Sequence, residues 1–246
     1  MPHARSVELI VERQAKLWEE RQALSHAGGE AARRALVHLS EGPWITLSRQ
    51  LGTGGADFGR RLADRLGWQV YDHEILERIA RQTHTAERIL ARLDEHAVGR
   101  LRDILAHFML SGASDQPAFL REMTRVIFAL ARQGKAIIRG RGANWLLDHQ
   151  YGLRVRLIAP QEVRVKRLAR VDRITAAEAE RRVRQHDLDM QAFTRQVFRR
   201  DIDDPHGYDL ILNIATLPLE AAVEATTAAL HGKLGSQEHA AEHRAS

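Results

Sequence analysis

Cysteine is absent from the 246 residues. Disulfides, a thiolate nucleophile and cysteine-ligated metals are thereby excluded, and the chain fits a reducing compartment. Aromatic residues make up only 5% of the chain, which is poor material for the stacking platforms that hold single-stranded nucleic acids. No stretch approaches the roughly 18 apolar residues of a membrane span. The N-terminal MPHARSVELIVERQAK holds no apolar run of the signal-peptide kind, so a cytoplasmic, membrane-free protein is expected. There is no G-x-S-x-G, and His73, His84, His96 and His107 are too widely spaced for a zinc-binding H-E-x-x-H helix. Lysine is scarce too, at Lys16, Lys135, Lys166 and Lys233 only.

What the chain has in quantity is arginine. Lysine and arginine together number 37 against 32 acids, a formal charge of +5. Arginine is the side chain for bidentate contacts to phosphate and carboxylate, so an anionic partner is one reading and a solvated basic surface the other. The run RVKRLARVDR…ERRVRQ, 164 to 185, spreads its arginines over several helical faces. No nucleic-acid recognition motif accompanies it, so it reads as a charged helical face.

Apolar residues at Val7, Ile10, Val11, Leu17, Trp18 and Leu24 recur at helical spacing. Residues 1–40 are therefore expected to be a helical extension, packed on the main domain or on a second copy of the chain as a homo-oligomer. After it, short apolar runs alternate with amphipathic segments. PWITLS, WQVYD, KAIIRG, LRVRLIAP and YDLILNIA read as strands. Between them lie helical stretches over 73–133 and from Pro160 onward, with a TAAE capping box at 175–178 and a final helix from LPLEAAVEA. The tail, 232–246, is expected to fray. Strands that are short, nearly all apolar and separated by helices predict a parallel sheet covered on both faces, with its ligands at the carboxyl ends of the strands. Trp44, Trp68 and Trp145 flank these strands and read as core.

The first such end carries SRQLGTGGADFG. A phosphate loop is G-x-x-x-x-G-K-[ST] between strand and helix; its amides and the helix dipole cradle phosphate. Here Arg49 stands for the first glycine, Gly54 for the second, Gly55 for the lysine and Ala56 for the hydroxyl residue. Gly52, Thr53, Gly54 and Gly55 can still form a cradle from backbone amides, closed by Ala56 and Asp57 at the helix start. The missing charge falls to Arg49 at the strand exit. Asp57 is either a metal ligand or a first-turn acid favoured by the helix dipole.

These residues, ITLSRQLGTGGADFGRRLADRLGWQVYDHEIL with AIIRGRGA, RLIAPQEVRVKRL and DPHGYDLILNIATLPLEAAVE, resemble the cytidylate kinase-like family of P-loop nucleoside monophosphate kinases over about residues 43–231. The resemblance implies a P-loop kinase-like α/β three-layer sandwich around a five-stranded parallel sheet. It also implies an acceptor-binding region near 73–133, a helical lid near 160–204, and transfer of the γ-phosphoryl of ATP, with Mg²⁺, to CMP or dCMP. Arg141 would grip the acceptor phosphate, with Asp72 and Arg78 on the acceptor side. Gly142 replaces the aspartate that typical members carry after that arginine. In the lid, the family's Asp, Arg, Tyr at steps of three become Asp187, Met190 and Phe193. Arg184, Arg195 and Arg199 are the neighbours left to supply lid charge. A nucleotide-binding pseudokinase is the alternative.

Overall fold

The computed structural model of the chain describes residues 43–72 and 117–245. The expected N-terminal extension, most of the acceptor region, and with it Arg78, lie outside them. Five strands form one sheet: β1 (Trp44–Arg49), β2 (Gln69–Tyr71), β3 (Ala136–Arg139), β4 (Gly152–Ile158) and β5 (Leu210–Asn213). Their order is β2-β3-β1-β4-β5, every pair parallel. The helices are α1 (Gly55–Leu66), α2 (Pro117–Gln133), α3 (Ala143–Leu146), α4 (Gln161–Asp172), α5 (Ala176–Phe198) and α6 (Leu219–Ala245).

Alternation along the strands sorts side chains to two faces. Trp44, Tyr71, Ala136 and Ile138 meet Val126, Ile127 and Leu130 of α2. Ile45, Leu47, Ile137, Val155 and Leu157 meet Phe58 and Leu62 of α1 and Ala222, Val223 and Leu230 of α6. The result is a helix–sheet–helix sandwich. Ile45, Leu47, Phe58 and Leu62 have no exposed surface, so truncating any one to alanine costs about 2–5 kcal/mol.

Caps and breakers act where the sequence places them. Gly67 ends α1 in the left-handed region, with φ 65°. Thr175 caps α5 by accepting the amide of Glu178 at 3.2 Å. Pro160 precedes α4 as its cap and is not the first helical residue. α6 runs on to Ala245, past the point where fraying is expected; the segment holds no proline, so nothing covalent stops the helix. No helix among the described residues is long and apolar enough to cross a membrane.

The central strand decides where chemistry can occur. β1 pairs with β3 on one side and β4 on the other. The chain leaves β1 toward one half of the sheet and reaches the other half only after β3. The carboxyl end of β1 is therefore the topological switch point, where parallel sheets open a crevice for ligands.

Candidate functional site

The turn after β1 is fixed from within. Thr53 is fully buried, its hydroxyl donating to the Gln50 carbonyl at 2.7 Å. Gln50 in turn accepts the Ala159 amide on its side chain at 3.1 Å, which ties the turn to the end of β4. Gly52 and Gly54 have φ of 86° and 81°, values that only glycine adopts at low cost. Gly54 caps α1 without a side-chain bond. The first amides of a helix have no intrahelical acceptor, so those of Gly55, Ala56 and Asp57 are available to an anion.

Gly55 has a steric meaning. A Cβ there would stand 3.0 Å from Cγ and Cδ of Arg49 and 3.2 Å from its Cβ. The arginine stem fills the space that a lysine side chain at position 55 would need. Arg49 is half-buried, and burial lowers its guanidinium from the ordinary value, with Arg139 and Arg141 adding repulsion and Asp72 opposing it. It stays protonated, as arginine does. Arg139 donates to Asp72 at 3.2 Å, and its Nε is buried with no hydrogen-bond partner among the described residues. Burial also lowers Arg141. That residue lies in the left-handed region with φ 55°, between Gly140 at 83° and Gly142 at 67°. A non-glycine residue held there costs about 1–2 kcal/mol. Among the described residues, Arg49, Arg139 and Arg141 cluster at the ends of β1 and β3, with Asp72 beside Arg49 and Arg139, and a bound polyanion would relieve their mutual repulsion.

The helical hairpin after β4 is fastened to the loop. Arg164 of α4, 4% exposed, donates to the Ala159 carbonyl at 3.0 Å and to both carboxylate oxygens of Asp187 on α5, at 3.1 and 2.8 Å. Its carbonyl lies against Gly52, leaving no room for a side chain there. Arg167, one turn on, donates to the Thr53 carbonyl. Leu51 packs on the hairpin's own small core of Leu168, Ala179 and Val183. At the far end of α5, Phe198 covers Gly142 so closely that a Cβ at position 142 would stand 2.1 Å from two of its ring carbons. Phe193 packs edge-on to Phe198 at 5.8 Å.

The structure thus brings together Arg49, Gly52, Thr53, Gly54, Gly55, Asp72 and Arg141. Ala56 and Asp57 offer the site their backbone amides and not their side chains, Arg78 lies outside the described residues, and the arginines expected from the lid lie elsewhere. Ala56 is exposed. Asp57 turns along α1 to Arg60 and Arg61, and the Arg60 hydrogen bond holds its carboxyl below the usual range. Arg184 is exposed and pairs with Glu180 at 2.6 Å, and Arg195 and Arg199 are exposed as well. Val183, Asp187, Thr194 and Val197 mark the inward side of α5, so helical geometry carries Arg184 and Arg195 away from the loop. Of the hairpin's arginines, Arg164 and Arg167 of α4 are the ones seen to reach the loop.

The basic run 164–185 is likewise not one patch. Arg164 and Arg167 turn inward, Arg181 and Arg182 pair with Glu178, and Arg182 also pairs with Asp172. Four further residues escaped sequence reasoning. Arg139 had a signal, the R-G-R at the end of a strand, which puts two arginines on one side. Arg164 and Arg167 had another, their one-turn spacing. Arg156, 4% exposed, donates to Ser48 at 3.2 Å, Tyr208 at 3.0 Å and Asp203 at 2.6 Å; an arginine inside an otherwise apolar strand that also carries Arg154 was its only mark.

A five-stranded parallel sheet with a glycine turn at its switch point and an arginine cluster beside that turn defines an α/β protein of the P-loop kinase-like class. The model of the cytidylate kinase-like family matches residues 44–216, and the chain belongs to that family. A cytidylate kinase of Pyrococcus horikoshii is 25% identical over 187 residues, 76% of this chain and 87% of that protein. The cytidylate kinase of Methanopyrus kandleri is 27% identical over 179 residues, covering 69% and 83%. Among solved structures, an uncharacterized protein from Eubacterium ventriosum superposes with a TM-score of 0.58 at 17% identity, over 75% of this chain and 96% of that one, a likeness of fold.

Proposed function

We propose that this protein transfers the γ-phosphoryl of ATP to a nucleoside monophosphate, CMP or dCMP being the acceptor to which its family points. The bond from the γ-phosphorus to the β,γ-bridging oxygen breaks, an oxygen of the acceptor phosphate takes the phosphoryl group, and ADP and a nucleoside diphosphate leave. Such transfer asks little covalent chemistry of the protein and much positioning and positive charge.

The observation that carries this reading is the Arg49 stem lodged over Gly55, with Arg139 and Arg141 beside it. On this reading the amides of Gly52, Gly54, Gly55, Ala56 and Asp57 receive the phosphates of ATP, while that of Thr53 donates to the Gln50 carbonyl within the turn. Arg49 supplies the charge of the absent loop lysine, and Arg141, held in its strained turn, receives the acceptor phosphate. Arg78 would face the acceptor, and Asp72 orients Arg139. Mg²⁺ would travel with the nucleotide phosphates, since such ions keep few protein ligands and Ala56 offers no hydroxyl.

The second reading, a nucleotide-binding pseudokinase, is favoured by one feature. The inward side of α5 carries Met190 and Phe193 where the family resemblance leads one to expect arginine and tyrosine. An arginine at the transferring phosphate is worth about 10³–10⁵ in rate. ADP release measured with ATP–Mg²⁺ across a panel of nucleoside monophosphates separates the two. Turnover on a pyrimidine monophosphate, lost in Arg49→Ala and Arg141→Ala, is expected. ATP binding without turnover on any acceptor would overturn the kinase reading in favour of the pseudokinase.

A further inference from the structure

His186 stands beside Asp187 on α5, one residue from the carboxylate that fastens the hairpin to the phosphate turn through Arg164. Its ring is half-buried, and Nδ1 is shut off from solvent with no hydrogen-bond partner among the described residues. A buried imidazole nitrogen without a partner calls for an explanation. Among the described residues, the charged groups that act on it are Arg49 from β1, Arg164 from α4, and Asp187 and Asp189 from its own helix. The histidine therefore shares its surroundings with the arginine that lies over Gly55. Burial holds its pKa below the ordinary histidine value, with Arg49 and Arg164 pushing the same way and the two aspartates opposing.

We propose that His186 is a phosphate contact on the α4–α5 hairpin, binding nucleotide together with a proton and so adding charge that Gly55 and Ala56 do not supply. The inference rests on the nucleotide-binding part of the function proposed above. A neutral imidazole is the cheaper state without an anion, because burial and the field of Arg49 and Arg164 disfavour a further positive charge there. Polyphosphate reverses the local sign and favours imidazolium, which donates from both nitrogens. By linkage, a group whose pKa rises on binding makes binding tighter at low pH. Affinity then falls with rising pH by up to about tenfold per unit between the free and bound values.

The test is calorimetric titration with ATP–Mg²⁺ near neutral pH in buffers of different ionisation enthalpy, on the full chain. Wild type is expected to take up protons on binding. His186→Gln should lose that uptake, keep its thermal unfolding midpoint without nucleotide, and bind about tenfold more weakly at low pH. His186→Arg should bind tightly at every pH with no uptake. The γ-phosphate's own titration is common to all three proteins and cancels in the comparison. Equal proton uptake in wild type and His186→Gln, or none in wild type that binds, overturns the inference while leaving nucleotide binding intact. No ATP binding by wild type overturns the inference and the proposed function together.

Discussion

Gly55→Ala separates folding from function at this site. Gly55 opens α1 without a positive φ, so alanine fits the backbone and improves helix propensity by up to about 1 kcal/mol. The new Cβ would sit 3.0 Å from Cγ and Cδ of Arg49 and 3.2 Å from its Cβ. Those atoms are near the backbone, so the arginine stem must give by a few tenths of an ångström, and the displacement is passed to its guanidinium beside the turn. A charged hydrogen bond of this kind is worth about 1.5–3 kcal/mol, or about ten- to a hundredfold in affinity. The unfolding midpoint without nucleotide should therefore stay within a few degrees of wild type. ATP affinity, measured by calorimetry, should drop by at least an order of magnitude. A double-mutant cycle sharpens the result: once Arg49→Ala is present, adding Gly55→Ala should cost nothing further. If Gly55→Ala binds ATP as tightly as wild type, the placement of Arg49 is irrelevant and the reasoning fails.

Asp72→Asn removes the carboxylate that Arg139 holds at 3.2 Å and that opposes the repulsion felt by Arg49. The expected loss is about 1–3 kcal/mol of stability in denaturant titration, largely restored by saturating inorganic phosphate. Gly142→Asp would collide with the Phe198 ring at a backbone φ of 67°; overpacking and strain together should cost about 2–4 kcal/mol in urea unfolding, with part recovered by Phe198→Ala. Asp187→Asn breaks the bidentate pair with Arg164, whose side chain is 5% exposed. It should lower stability by about 3 kcal/mol and speed proteolysis within α4–α5.

Much of the fold was legible because its signals are local. Five short apolar runs between amphipathic segments gave a parallel sheet, and Gly67 and Thr175 act where propensity says they should. The glycine turn was legible for the same reason: Gly52 and Gly54 need positive φ, and the strand and helix on either side are plain. The arginines were harder. Composition shows that they are many, but which ones turn inward depends on helix rotation and on partners far along the chain. Arg184 and Arg195 were plausible by position and lie outside; Arg164 reaches the loop only because Asp187, 23 residues away, holds it. The stem of Arg49 over Gly55 is a contact between strand end and helix start that no spacing rule encodes. The covering of Gly142 by Phe198 joins two elements that only the folded chain brings together.

The central claim is that an arginine from the strand end supplies the phosphate charge that the loop itself lacks. The most direct test is the rise in thermal unfolding midpoint on adding ATP–Mg²⁺, compared between wild type and Arg49→Ala. At a hundred times the dissociation constant, a ligand that binds only the folded state stabilises by about 2.7 kcal/mol. A clear rise in wild type that disappears in Arg49→Ala at the same nucleotide concentration is the predicted result. An equal rise in both proteins would contradict the account.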